Sequence, residues 1–219
     1  MSSKVGDWFD DRFGWRGVWK TIFQRKVPKV NWFYTLGSAT LFVAINQMVT
    51  GILLTIYYVP SPDHAYDSVQ FITNEVTGGW LIRGLHHWGA SAMIVLVILH
   101  MLRVLLFGAY KYPREVTWLT GVVLLLVSLG FGFTGYLLPW DQKAYWATTV
   151  GTRIAETAPV VGDSLLRILR GGEDLTAVTL TRFFGVHVWV LPAALLTLIA
   201  VHLYLVIRNG ISAVPKRKE

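Results

Sequence analysis

The chain has 219 residues, of which 53% are hydrophobic, 14% aromatic and only 15% charged. Its mean hydropathy is +0.48. A soluble domain carries about 25% charged residues, so the deficit excludes a disordered tail or a typical water-soluble enzyme and points to a chain whose solvent is lipid. There is no Cys, which removes disulfides, zinc–thiolate sites, iron–sulfur ligation and thioether-linked haem from this chain. The formal net charge is +7, and the position of those charges decides what it means.

In chain order, residues 1–30 form a basic segment without the apolar core and small-residue cleavage site of a removable signal. Four charge-free stretches follow, Val30–Pro62, Gly84–Leu102, Val116–Trp140 and Phe183–Ile207, of 33, 19, 25 and 25 residues. A bilayer-spanning helix needs roughly 20 apolar residues. The expectation is therefore an all-α membrane protein with spans at about 32–58, 80–106, 116–138 and 183–207 and a basic tail over 211–219. Four spans put both termini and the loop around Lys111 and Arg114 on one side. That side holds fourteen of the twenty Lys and Arg. Positive-inside places it in the cytoplasm or its organellar equivalent, the n-side, and explains the basic excess without nucleic acid. Between the third and fourth spans, Val150–Glu156 and Val160–Leu169 have apolar residues at near-helical spacing with Arg and Asp between them. This pattern predicts amphipathic helices lying on the external membrane face, within an external segment over 139–182.

The second span carries His86, His87 and His100, and the fourth carries His187 and His202. At about 100° per residue, the 14-residue step from His86 to His100 falls within roughly 40° of whole turns, and the 15-residue step from His187 to His202 within roughly 60°. His87 misses by roughly 140°. The second and fourth spans run parallel, so His86 meets His187 at the external level and His100 meets His202 at the internal level. At about 1.5 Å per residue the levels lie roughly 21 Å apart. Intramembrane imidazoles are expensive and mark function. Two imidazoles per level suit the two axial positions of a haem iron, whereas zinc or copper wants three or four ligands at one point. Gly37 and Gly51 on the first span, and Gly121 and Gly135 on the third, repeat the 14-residue step, as expected where helices close on a flat macrocycle. Arg83 and Arg103 stand one turn from His86 and His100, positioned to pair with haem carboxylates.

Five runs carry a resemblance: Gly-Trp-Leu-Ile-Arg-Gly-Leu-His-His-Trp (79–88), Tyr-Pro-Arg-Glu-Val-Thr-Trp (112–118), Gly-Phe-Thr-Gly-Tyr-Leu-Leu-Pro-Trp-Asp-Gln (132–142), Ala-Pro-Val-Val-Gly (158–162) and Leu-Thr-Arg-Phe-Phe-Gly-Val-His (180–187). Over about residues 15–215 the chain resembles cytochrome b of the bc and b6f complexes, in the short four-helix b6-type form. The resemblance implies two b haems, quinol oxidation on the external p-side, and an electron path across the membrane to an n-side quinone. It further implies that Tyr136, Pro139, Trp140 and Asp141 border the quinol pocket. The partners it implies are a subunit IV-like membrane chain bringing a Pro-Glu loop that this sequence lacks, a Rieske iron–sulfur protein, a c-type cytochrome and a dimer of complexes. It also implies an extra n-side haem, here without a Cys linkage because Thr35 occupies the matching position. His87 stands where the photosynthetic form usually has Arg. Two rivals remain at this point. A stand-alone dihaem anchor of a dehydrogenase leaves the Pro-Trp-Asp corner unexplained, and a His-based metal ion transporter predicts a polar path that the apolar spans do not offer.

Overall fold

A computed structural model describes residues 4–14, 16, 17, 19, 20, 24 and 32–212. Among these residues the ordered elements are all helical. Helix α1 spans Lys4–Phe13, where Arg16 closes back on Asp7 at 2.7 Å. The expected tail over 211–219 lies almost wholly outside the described residues.

Four helices are long and apolar enough to cross a membrane: Trp32–Thr55, Gly79–Leu106, Glu115–Leu137 and Ala177–Asn209. The first opens with a 3-10 turn over Trp32–Thr35 and continues as α2, Leu36–Thr55. The second is α4, Gly79–Leu106, and the third is α5, Glu115–Leu137. The fourth is composite: α8 (Ala177–Gly185), a π-helical turn (Val186–Val190), then α9 (Leu191–Asn209). It begins six residues earlier than hydropathy suggests, because the capping box formed by Thr176 and Thr179 starts the helix before its apolar run. The first span ends at Thr55 rather than near residue 58, and Tyr58 turns inward instead.

Little of this bundle is buried. Phe42, Trp88 and Trp189 are each more than 70% exposed. Such an apolar surface is intolerable in water and ordinary in hydrocarbon. The α2 helix packs on α4, and α5 packs on α9. Asn46 and Gln47 reach from α2 to the Leu85 carbonyl at 3.5 and 3.3 Å.

Among the described residues four short helices cover the end of the bundle that carries His86 and His187, the end expected to be external. The first, α3 (Ala65–Asn74), is not evident in the sequence; it buries Ala65, Ser68, Val69 and Ile72. Helices α6 (Gln142–Glu156) and α7 (Gly162–Arg170) fall on the two amphipathic stretches, with α6 starting eight residues before the apolar periodicity does. The fourth is α8, already described as the root of the last span. Beneath them Ala65, Leu137, Leu180 and Phe183 form a buried cluster that Tyr58, Phe133, Leu138 and Trp140 pack against. The chain leaves α7 through Gly171, whose φ of +83° suits glycine.

Candidate functional site: two histidine levels in one bundle

The fourth span resolves the mismatch between a 14-residue histidine step on one helix and a 15-residue step on the other. The Leu191 amide bonds to the Val186 carbonyl, an i→i+5 closure. One such π turn absorbs one extra residue, so the 15-residue step acts as an α-helical step of 14. Both histidine pairs then fall about 40° short of four turns, the same offset as the Gly37–Gly51 and Gly121–Gly135 steps.

The glycines face the imidazoles. A Cβ on Gly51 would stand 3.2 Å from His86 Cε1, and one on Gly37 3.1 Å from His100 Cε1. On the third span a Gly135 Cβ would stand 2.6 Å from His187 Cε1, and a Gly121 Cβ 3.5 Å from His202 Cε1. Each glycine of the first span thus makes room for a histidine of the second, and each of the third for one of the fourth. The glycines expected to let helices close on a flat macrocycle thus also make room for the imidazoles themselves.

Three threonines that the sequence reading passed over orient three of these rings. Thr50 Oγ1 lies 3.0 Å from His86 Nδ1, Thr134 Oγ1 3.0 Å from His187 Nδ1, and Thr120 Oγ1 2.9 Å from His202 Nδ1. Each hydroxyl already donates its single proton along its own helix, to the carbonyls of Asn46 (2.6 Å), Gly130 (2.8 Å) and Thr117 (2.8 Å) respectively. The hydroxyl must therefore accept from the ring, which assigns the Nδ1–H tautomer and leaves the Nε2 lone pair free. A ring so fixed is a prepared metal ligand. A readable signal existed: each threonine immediately precedes one of the stepped glycines, as Thr50-Gly51, Thr120-Gly121 and Thr134-Gly135. Gly37 follows Leu36, so the threonine that precedes the other three glycines is missing at the position facing His100.

At the external level the His86 and His187 ring centroids are 6.4 Å apart and steeply inclined. A linear imidazole–metal–imidazole unit with bonds of about 2 Å, and about 1.1 Å from ring nitrogen to ring centre, spans about 6.2 Å. The two rings stand at that separation. His202 and Arg103 are the electrostatic neighbours of His100 at the internal level. Among the described residues no three of His, Cys, Asp and Glu gather to form a metal cage. Two imidazoles per level therefore fit a haem iron, whose remaining ligands come from the macrocycle.

Arg103 is 9% exposed, with its guanidinium 3.5 Å above the Tyr34 ring. Among the described residues its Nε and one terminal nitrogen have no hydrogen-bond partner, and neither has the Tyr34 hydroxyl. Buried donors without acceptors are costly, so this site suits an anionic group such as a haem carboxylate. Arg83 is half-buried near the external end of α4. His87 is exposed and stacks edge-on with Trp88.

The Pro-Trp-Asp corner joins α5 to α6. Trp140 has φ +51°, a strained conformation for a bulky residue, and its ring meets Tyr145 edge-on at 5.8 Å. Asp141 caps α6, accepting from the Ala144 amide at 2.7 Å. The corner is anchored by the Tyr58 hydroxyl, which donates to the Leu138 carbonyl at 2.6 Å while its ring stacks on Phe184. Tyr136 is 43% exposed at the end of α5 and Pro139 is half-buried. At the opposite end, Thr35 is exposed and donates to the Trp32 carbonyl at 2.6 Å.

Comparison with known proteins agrees with this geometry. Residues 22–210 match the family model described as cytochrome b/b6/petB. The chain belongs to the cytochrome b/b6 family. It is 47% identical to the menaquinol:cytochrome c reductase cytochrome b subunit of Bacillus subtilis (strain 168), over 97% of this chain and 99% of that protein. It is 45% identical to cytochrome b6 of Synechococcus elongatus, over 96% and 98%. Among solved structures, a chain of a hyperthermophilic respiratory complex III superposes with a TM-score of 0.86 at 35% identity, over 97% of this chain. This cytochrome b spans 58% of the length of that complex III chain.

Proposed function

We propose that this cytochrome b is the dihaem subunit of a proton-translocating quinol:cytochrome c or plastocyanin-type oxidoreductase. In this reading quinol is oxidised on the external p-side and a quinone is reduced on the n-side, where both termini lie. What carries the reading is the pair of rings 6.4 Å apart at one level, repeated by a second histidine pair in matched register. Two b-type haems, one held by His86 and His187 and one by His100 and His202, would supply one-electron carriers at two depths of the bilayer. The protein's part is to present four Nε2 lone pairs, three of them fixed by Thr50, Thr120 and Thr134. Gly37, Gly51, Gly121 and Gly135 keep the rings unobstructed. Arg103, and Arg83 at the other level, receive carboxylates.

Tyr136, Pro139, Trp140 and Asp141 border the quinol, with Asp141 acting through the helix it caps. The pocket opens on the external side, so quinol protons leave there. A subunit IV-like chain closes it with a Pro-Glu loop, a Rieske protein takes the first electron toward a c-type cytochrome, and two complexes pair as a dimer. On the n-side, Arg208 and the basic N-terminal segment border the quinone. Position 35 is Thr and offers no thiol, so an additional n-side haem, were one present beside the two b haems, would have no covalent bond to that position.

Quinol-dependent cytochrome c reduction by the purified complex tests this reading. The expected result is turnover that disappears in His86→Ala together with one b-haem signal. Retained turnover with unchanged haem content in that variant would overturn it.

A further inference from the structure

Arg170, at the end of α7, is 2% exposed. Its Nε donates to Thr152 Oγ1 at 2.8 Å and one terminal nitrogen to the Thr149 carbonyl at 3.0 Å, both on α6. The other terminal nitrogen donates to the Glu173 carbonyl at 2.6 Å. The Arg170 carbonyl in turn accepts from Thr179 Oγ1, on α8, at 2.6 Å. The Glu173 carboxylate does not neutralise this cation, because it pairs with Arg167 at 2.8 Å. A buried cation answered only by oxygen dipoles is expensive to keep. Only a guanidinium fork reaches three diverging acceptors at once.

The elements it joins explain the arrangement. Helix α6 begins at the Pro-Trp-Asp corner and turns its small and polar face inward, burying Ala144, Thr148 and Thr152. None of these buried residues carries a large apolar side chain. Helix α8 runs through the π turn into His187. We infer that Arg170 is a positioning residue for quinol oxidation, which locks the pocket-bordering helix α6 to the root of the span carrying His187. The inference rests on the reading of the corner as a quinol pocket. Without the fork, α6 loses its tether while the histidine pairs keep theirs, since Thr50, Thr120 and Thr134 are independent of it.

The test uses the whole purified complex with Arg170→Gln, which is too short and too poor in donors to reach all three acceptors. A milder second variant is Thr152→Val, which removes one acceptor without changing shape. Hydrogen exchange over residues 142–156 should accelerate in both, with b-haem content unchanged. The KM for a short-chain quinol should rise about fivefold or more while kcat stays within about twofold. Unaltered exchange over α6 and unaltered KM would overturn the inference, as would a fall in kcat with KM unchanged. If Arg170→Gln does not assemble, Thr152→Val decides by the same readouts. If the wild-type complex itself lacks b haem and quinol turnover, the functional reading fails, and unaltered exchange would still overturn the tether.

Discussion

The two histidine levels share a plan and differ in how firmly it is held. At the external level both rings are oriented by threonine hydroxyls, at 3.0 Å each, and the bundle end is covered by α3, α6, α7 and α8. At the internal level, among the described residues, His202 alone has such a partner, and Arg103 stands buried over Tyr34 with two nitrogens unanswered. The difference follows from one position. Residue 36, where the pattern on the other glycines calls for Thr, is Leu. Both rings of the His86–His187 pair are held by the protein, whereas at the His100–His202 level one ring is held.

The largest effect should come from the rings themselves. His187→Ala should remove one b haem and leave the internal one, read as loss of one component in a redox titration of the reduced-minus-oxidised spectrum. Nearly as large should be a single Ala inserted between Leu195 and Leu196. It turns His202 by about 100° relative to His187, so the internal haem should be lost although no ligand is changed. Retention of both haems in that variant would refute the role given to the π turn.

The glycines sharpen the comparison within one helix. Gly135→Ala places a methyl 2.6 Å from His187, closer than real contacts allow, whereas Gly121→Ala meets His202 at an ordinary 3.5 Å. Haem content per chain should fall in the first variant and hold in the second. The smallest effects belong to the hydroxyls. Losing one ring-orienting hydrogen bond is worth about 1 kcal/mol, or on the order of 40 mV in a one-electron couple. The Nδ1–H bond makes the ligand more basic and favours the oxidised iron. Thr134→Val should therefore raise the external haem potential by that order, Thr120→Val the internal one, and Leu36→Thr should lower the internal potential if it supplies the missing acceptor.

Much of this was legible in the sequence, because lipid allows only helices and the histidine and glycine steps repeat through them. The parts that were not legible are those decided by contacts between segments. Helix α3 has only ten residues, too few to be stable alone, and exists by packing on the buried cluster at this end. The π turn leaves no periodicity signal beyond the one-residue excess between His187 and His202, which reads as a looser fit until the wide turn is seen. Asp141, expected at the border of the quinol pocket, also caps α6, through a partner three residues on that only the folded corner reveals. Thr50, Thr120 and Thr134 were hidden by their ordinariness, since threonine in a membrane helix usually bonds its own backbone. These three do so as well, and that is what turns their lone pairs to the histidines.

The central claim is that one chain holds two haems at two depths through four histidines. Its most direct test is a haem count per chain on the purified complex, combined with a potentiometric titration of the b-type spectrum. The account predicts two b haems per chain, titrating as two one-electron steps of separable potential. A well-assembled complex with no b haem, or with a single one, would contradict it.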